Sequence, residues 1–512
     1  MLLQILACIY PFYFLILLGL LLIMFVRSFP IFKRLPVSIY SRDYFLLFLL
    51  MMLGLILRIK YTYHIDLDPY GWRYIQNALA INNIFCPFSG LSFRISDALH
   101  IPGYPVLISL PLLFSKSLLG ISIFNVCFGV LTIWLIYLIS YFLTEDKVSS
   151  VLAAGFLAFS QLHIVYSGQE FPMPISVFFV ALEFLYLVLW LKSKDTAAGL
   201  VFALAFLISL NIKIENIIFL PLFVGITLKE RKYHFWREKG NFKKHLRFII
   251  ALLFSAIVFC PFIIKLYQTQ LSTLKRFGNA NEFFSLNNFI RHFVYFILQK
   301  SCGFPLFMIL AYSMLHLFKR CMSKGYILLG WSVFSFIYFF WYADIFSEWN
   351  MQQVLIPIYI ISGYVISKTI NLFFRNKYLG GAILFLFLFL WLGNSVFKLN
   401  ENKRFKRLSW ITIRHDLKTI SENECIVCLD KRTSKFSMTF LFPDKNWIFL
   451  NDAFTLGQLD KCRGNLYYFD VIPWGLEEEV DKNEVLLWEN LLRGGYEFKK
   501  THKLALYELR KK

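Results

Sequence analysis

Long apolar blocks, rather than alternating or amphipathic patterns, run through the first four hundred positions of the chain. A helix needs about 17–25 largely apolar residues to cross a hydrocarbon core of about 30 Å. Blocks of that kind predict twelve spans, at 5–26, 43–59, 118–143, 149–166, 172–191, 196–212, 215–228, 247–265, 301–318, 325–343, 353–368 and 379–397. After about position 397 the pattern changes. A basic amphipathic stretch at 403–418 is followed by short strand-like runs at 425–429, 447–450, 466–469 and 504–509, with a helical run at 484–492. That mixture predicts a small α/β unit outside the membrane.

Basic residues between the blocks give the orientation, because cytoplasmic loops carry an excess of Lys and Arg. The loop 229–247 holds Lys229, Arg231, Lys232, Arg237, Lys239, Lys243, Lys244 and Arg247, and the loop 27–42 holds Arg27, Lys33, Arg34 and Arg42. Counting spans from these loops also puts Lys319, Arg320 and Lys324, then Lys368, Arg375 and Lys377, on the cytoplasmic side. The first span lacks the charged start and small-residue cleavage site of a signal peptide, so it is read as a retained span. Three segments fall outward: 60–117, 266–300 and the tail. The predicted organisation is an extra N-terminal span and loop at 1–42, a transmembrane domain at 43–397 and an outer α/β domain at 398–512.

Composition sharpens this plan. With 58% hydrophobic and only 17% charged residues, the chain departs from the globular average of about 25% charged, which excludes a soluble enzyme or a disordered chain. A net charge of +21 would suggest nucleic acid in a soluble protein, but here its placement makes it an orientation signal and no nucleic-acid partner is expected. The nine cysteines show no spacing typical of a disulfide framework. Cys425 and Cys428 form a lone CxxC on a predicted strand, where alternation sends the thiols to opposite faces.

The outward segment 60–117 is far longer than a connector, whose median is about 4–6 residues. It opens with Asp66-Leu-Asp68 immediately before a helix-like run starting near Pro69. One carboxylate could simply cap that helix. Their setting among Tyr61, Tyr63, His64, Tyr70, Trp72 and Tyr74, at the membrane edge, makes chemistry the stronger reading. The segment ends in His100-Ile-Pro-Gly-Tyr104-Pro, leading a helix too short to span and expected to lie in the interface. Two spans later comes Tyr166-Ser-Gly-Gln-Glu170, and at the next outer tip Lys213-Ile-Glu215-Asn216. Lys213 and Glu215 could be a pair of snorkelling span ends, and Arg58 and Lys60 interface anchors. Glu183 sits mid-span, roughly 20 Å below Glu170 at 1.5 Å per residue, and reads as a buried structural or lipid-tunnel group.

This order of a span, an outer Asp, an amphipathic helix, an H-x-P-G-Y-P segment and an acidic residue two spans on resembles the GT-C superfamily of polyprenyl-phosphate-sugar-dependent glycosyltransferases. The resemblance is closest to the branch with protein O-mannosyltransferases and lipid A aminoarabinose transferases, covers roughly 43–230, and extends further only by topology. It implies an essential acid four positions before an aromatic. Asp68 precedes Trp72 by four and Asp66 precedes Tyr70 by four, so either fits, Asp68 first. Glu170 occupies the place of the family's second acid, and Lys213-Ile-Glu215 matches a basic-x-Glu turn in type. Members often carry Arg-Tyr before a late Leu-rich Pro; this chain has Gln352-Gln353-Val-Leu-Ile-Pro357.

The implied activity is transfer of a monosaccharide from a polyprenyl-phosphate donor to an acceptor hydroxyl or amine at the outer face. A carboxylate serves as general base, cations stabilise the departing phosphate, and a one-step displacement inverts the anomeric centre. Asp68, Asp66 and Glu170 are the catalytic candidates; Lys213, Glu215, Arg73, Lys60, Arg58, His100 and Tyr104 are the substrate-binding ones. No cofactor is required, although Glu170 could join Asp68 around a divalent cation. The expected partners are the lipid-linked donor, membrane lipid and an acceptor that is a lipid, polysaccharide or protein. The expected location is a bacterial inner membrane. A rival class, a flippase of lipid-linked sugars, would show paired repeats and broken helices.

Overall fold

The computed structural model describes residues 2–34, 41–62, 69–85, 103–114, 118–226, 325–341, 351–373 and 377–401, with five strands and a few flanking residues between 417 and 511. The chain divides into two compact units. One is Met1–Lys60 with Asn77–Leu399, the other Tyr61–Gln76 with Asn400–Lys512.

The described α-helices include α1 (Leu2–Arg34), α2 (Ser41–Thr62), α3 (Pro69–Phe85), α4 (Gly103–Phe114), α5 (Leu118–Thr144), α6 (Lys147–Ala158), α7 (Gln161–Ser167), α8 (Met173–Ser193), α9 (Thr196–Ile212), α10 (Gly325–Trp341), α11 (Met351–Phe373) and α12 (Lys377–Glu401). Six are long and apolar enough to cross a membrane, or seven if the bent pair α6–α7 is one span. The chain is thus an integral membrane protein with several spans. The predicted segments 196–212 and 215–228 appear as short apolar helices, Thr196–Ile212 and Ile214–Ile226. The second of these opens as a 3-10 turn at Ile214–Phe219. The spans read at 247–265 and 301–318 lie outside the described residues.

Helix α8 is the axis of the first unit. Its apolar window is 89% buried, against 28% for α1 and 17% for α12, whose remaining surface suits lipid. Close approaches hold the helices around it. A Cβ on Gly363 of α11 would stand 2.7 Å from the Ser149 carbonyl of α6, so a small residue is needed where these backbones meet, as is common between membrane helices. Phe184 of α8 stacks on Trp331 of α10 with ring centres 3.8 Å apart.

Polar links gather at the two ends of this bundle. At one, Asp146 caps α6 and accepts from Ser367 Oγ at 2.7 Å, while Lys192 pairs with Glu145 at 2.8 Å. Ser28 of α1 and Tyr186 of α8 share a hydrogen bond on the same side of the bundle. At the other end, Tyr10 donates to Asn211 and Gln353 to Asn216. These pairings put the N-terminus of α1 and the C-terminus of α9 together, in the alternation that the charge bias predicts. They also make α1 a docked member of the bundle.

One predicted span is corrected. The segment 149–166 forms two helices that meet at 55°, with Phe159 and Ser160 at the break. Neither Pro nor Gly stands there; the cause lies on α2. Arg58 is fully buried, and its guanidinium donates to the Ala158 carbonyl at 3.1 Å and the Leu157 carbonyl at 3.2 Å. A helix can be interrupted at membrane depth where protein groups satisfy its freed carbonyls. Tyr359 of α11 adds a bond to Ser160 Oγ at 3.0 Å.

The second unit holds a five-stranded sheet of order β2-β1-β3-β5-β4, from β1 (Cys425–Leu429), β2 (Asn446–Leu450), β3 (Leu466–Phe469), β4 (Tyr496–Lys500) and β5 (Leu506–Lys511). The first three strands are parallel, and β5 and β4 add antiparallel. Parallel neighbours require crossovers of a dozen or more residues; these connections, with the helix read at 484–492, lie outside the described residues. The last predicted strand begins two residues later than expected, and β4 went unread. Cys425 is disulfide-bonded, a pairing that spacing along the chain does not reveal.

Candidate active site

The site is built at the Lys213 end of the first unit. The loop 168–172 joins α7 to α8 and carries Glu170, which is 3% exposed. Its backbone is braced from α5, where Asn125 Nδ2 donates to the Gln169 carbonyl. The same amide donates to Tyr104 Oη of α4 at 3.0 Å. Tyr104 thus enters as a positioning group for this loop through Asn125.

Gly103 explains why the P-G-Y-P segment contains glycine. A Cβ there would run into the Asn211 carbonyl of α9, so α4 approaches α9 closely only without a side chain. Asn211 in turn accepts from Tyr10 of α1 and donates to the Leu207 carbonyl at 2.7 Å. Three helices therefore converge two residues before Lys213. The H-x-P-G-Y-P helix was expected to lie in the interface; instead its residues from Gly103 to Ser109 are buried, and only its end, Leu113 and Phe114, is exposed.

Lys213 ends α9 and is 9% exposed. Its ammonium donates to Met173 Sδ at 3.1 Å, and Met173 lies three residues past Glu170. Burial brings the Lys213 pKa down to about 8, partly offset by the nearby Glu215 carboxylate. Around the next turn a closed polar network forms. Asn216 Nδ2 donates to Ser176 Oγ at 3.0 Å and to the Ser209 carbonyl at 3.1 Å. Gln353 Nε2 donates to Asn216 Oδ1 at 2.8 Å and to Ser176 Oγ at 3.1 Å. Ser209 Oγ also donates to Glu183 Oε2 at 3.1 Å, which ties that mid-span carboxyl to the same group.

Of the residues read from sequence, Glu170, Lys213, Glu215 and Tyr104 come together at this end. Arg58 lies apart, at the α6–α7 break. Besides the two carbonyls already named, it donates to the Gly54 carbonyl at 2.9 Å and to His163 Nδ1 at 2.7 Å; it is buried rather than an exposed interface anchor. Lys60 is exposed near the end of α2. Arg73 falls on α3, while Asp66, Asp68 and His100 lie outside the described residues. Sequence reasoning missed Asn125 and Ser176, whose signal was only polarity within apolar blocks. Among the described residues, no three His, Cys, Asp or Glu side chains gather as a metal site.

Comparison with known proteins adds a partial family match. Residues 100–264 match the family model of dolichyl-phosphate-mannose-protein mannosyltransferases, about a third of the chain, which bears out the resemblance to the GT-C superfamily. No curated protein matches the sequence. Among solved structures, the archaeal oligosaccharyltransferase AglB from Archaeoglobus fulgidus, in complex with an inhibitory peptide and a dolichol-phosphate, aligns over 92% of this chain and 74% of its own at 13% identity and a TM-score of 0.49. ArnT from Cupriavidus metallidurans, bound to undecaprenyl phosphate, aligns over 90% and 97% at 10% identity, also with a TM-score of 0.49.

Proposed function

We propose that this chain is a multi-pass membrane glycosyltransferase of the GT-C type, moving a monosaccharide from a polyprenyl-phosphate donor to an acceptor hydroxyl or amine on the extracytoplasmic face. The observation that carries this reading is the placement of buried Glu170 and Lys213 at one end of the bundle, within the stretch that matches the mannosyltransferase family. Lys213 supplies a cation for the departing phosphate, whose charge grows in the transition state. Asp68, or Asp66 in its place, takes the acceptor proton as general base, and attack from the opposite face inverts the sugar in one step. Glu170 positions substrate, and Glu215 supports the lysine turn. Arg58 acts indirectly, by holding the bend from which α7 leads to Glu170. Arg73, Lys60 and His100 keep the substrate-binding roles that the resemblance implies.

An extracytoplasmic location of the second unit has support from the disulfide at Cys425, since disulfides persist in oxidising compartments. The flippase reading would use the α6–α7 break as a cargo site, but Arg58 already occupies the freed carbonyls there. The direct test is release of polyprenyl phosphate from a labelled lipid-phosphate sugar by membranes containing the protein. Lys213→Met is expected to lower turnover at least tenfold, and Asp68→Asn or Asp66→Asn to abolish it. Parental turnover in both aspartate variants would overturn the base assignment.

A further inference from the structure

Gln352 stands where members of the resembled family often carry arginine, and its setting is unlike that of its neighbour. Gln353 is satisfied by Ser176 and Asn216. Gln352 is 1% exposed, yet neither its amide nitrogen nor its amide oxygen has a partner among the described residues. Native proteins seldom leave both halves of a buried amide unpaired.

Helical geometry gives its direction. Tyr359 stands seven residues further along α11, close to two full turns, so the two share a stripe about 10 Å apart along the axis. Tyr359 bonds to Ser160 at the start of α7, so Gln352 lies on that α7-facing stripe, nearer the end that carries Glu170. Gln353, one residue round the helix, faces Asn216 and the turn of Lys213. Gln352 is thus a buried, unpaired amide on the flank of the candidate site.

The chemistry of an amide selects its ligand. It offers donors and an acceptor side by side, which complements a hydroxyl group, itself both donor and acceptor. A phosphate offers only acceptors, and the amide oxygen would face it unfavourably; arginine, with five donors and a fixed charge, is the residue suited to that task. We propose that Gln352 binds ring hydroxyls of the donor's sugar and discriminates among sugars, leaving the lipid phosphate to Lys213. This rests on the glycosyltransferase reading. A site built to pair a hydroxyl rejects analogues that lack it, because its own polar atoms are then stranded.

The test uses the full-length protein in lipid nanodiscs and two kinds of probe. One is bare undecaprenyl phosphate; the other is a panel of synthetic undecaprenyl-phosphate hexoses and pentoses, from which the tightest binder is taken. In Gln352→Leu, similar in volume, and Gln352→Ala, the affinity gained from the sugar is expected to fall tenfold or more while bare undecaprenyl phosphate binds as before, which also reports correct folding. Gln352→Arg is expected to tighten the bare lipid and lose discrimination across the panel. If both leucine and alanine variants keep the parental ratio between sugar-bearing and bare lipid, or weaken the two equally, Gln352 does not read the sugar. Failure of the parental protein to bind either probe would instead overturn the glycosyltransferase reading, and this proposal with it.

Discussion

A guanidinium buried within a membrane bundle must find acceptors for several N–H groups, and Arg58 finds three carbonyls and a ring nitrogen. Its loss strands the Ala158 carbonyl, which costs about 1–3 kcal/mol when unsatisfied, while the Leu157 carbonyl keeps the Ser160 N–H at 3.2 Å. Arg58→Met is therefore expected to destabilise the detergent-solubilised protein by about 1–3 kcal/mol in thermal unfolding, with Arg58→Lys between it and the parent. Unchanged stability with weakened lipid binding would return Arg58 to the substrate. Lys213 carries the opposite kind of prediction. A hydrogen bond to a charged group is worth about 1.5–3 kcal/mol, so Lys213→Met should weaken undecaprenyl phosphate binding roughly 10–100-fold. Because its pKa lies at about 8, the parental affinity should fall as pH rises through that value, while Lys213→Arg holds its affinity. Stability runs the other way. Between about 8 and the ordinary lysine value near 10.4, the unfolded chain binds the proton that the folded one has released, so this residue's contribution to stability grows with pH. A binding curve that stayed flat from pH 7 to 9 would separate Lys213 from the phosphate.

Elements were legible where one periodic pattern decides them. The ends of α2, α5 and α8 fall within three residues of the sequence reading, because continuous apolar runs leave a helix no other way to satisfy its backbone in lipid. What stayed hidden was set by partners far along the chain. The bend between α6 and α7 depends on Arg58, about a hundred residues earlier, so the segment 149–166 on its own read as straight. The edge strand β4 carries Glu497, Lys499 and Lys500, the charge that edge strands use against further pairing, and this masked its Tyr496 and Phe498 alternation. Helix α4 was recognised as too short to span, but its burial follows from Gly103 meeting Asn211, a contact that no local pattern encodes. That contact makes a prediction at this scale. Gly103→Ala places a methyl group against the Asn211 carbonyl and should cost about 1–3 kcal/mol as an overpacked site, read as a lower unfolding temperature. Turnover should fall as well, since Lys213 follows Asn211 by two residues. A variant with parental stability and turnover would show that α4 and α9 do not need this approach.

At the scale of the whole molecule, two independent features bear on the sides of the membrane. Basic residues concentrate in loops that the span count puts at one end, and the first unit gathers Asp146, Lys192 and Lys368 there in hydrogen bonds and ion pairs. The other feature lies in the second unit, where the disulfide at Cys425 requires an oxidising compartment in most cells. Single cysteines introduced at Thr196, exposed at the start of α9, and at Lys499, exposed on β4, separate the possibilities. In intact cells a membrane-impermeant maleimide should label Lys499→Cys and spare Thr196→Cys until the membrane is opened. Reduction of the disulfide, or Cys425→Ser, should lower the stability of the second unit by about 2–5 kcal/mol, read as earlier proteolysis of the chain after 400. Labelling of Thr196→Cys from outside would invert the first unit and place its Lys213 end in the cytoplasm, where a lipid-linked sugar donor would have to be reached from the inner leaflet.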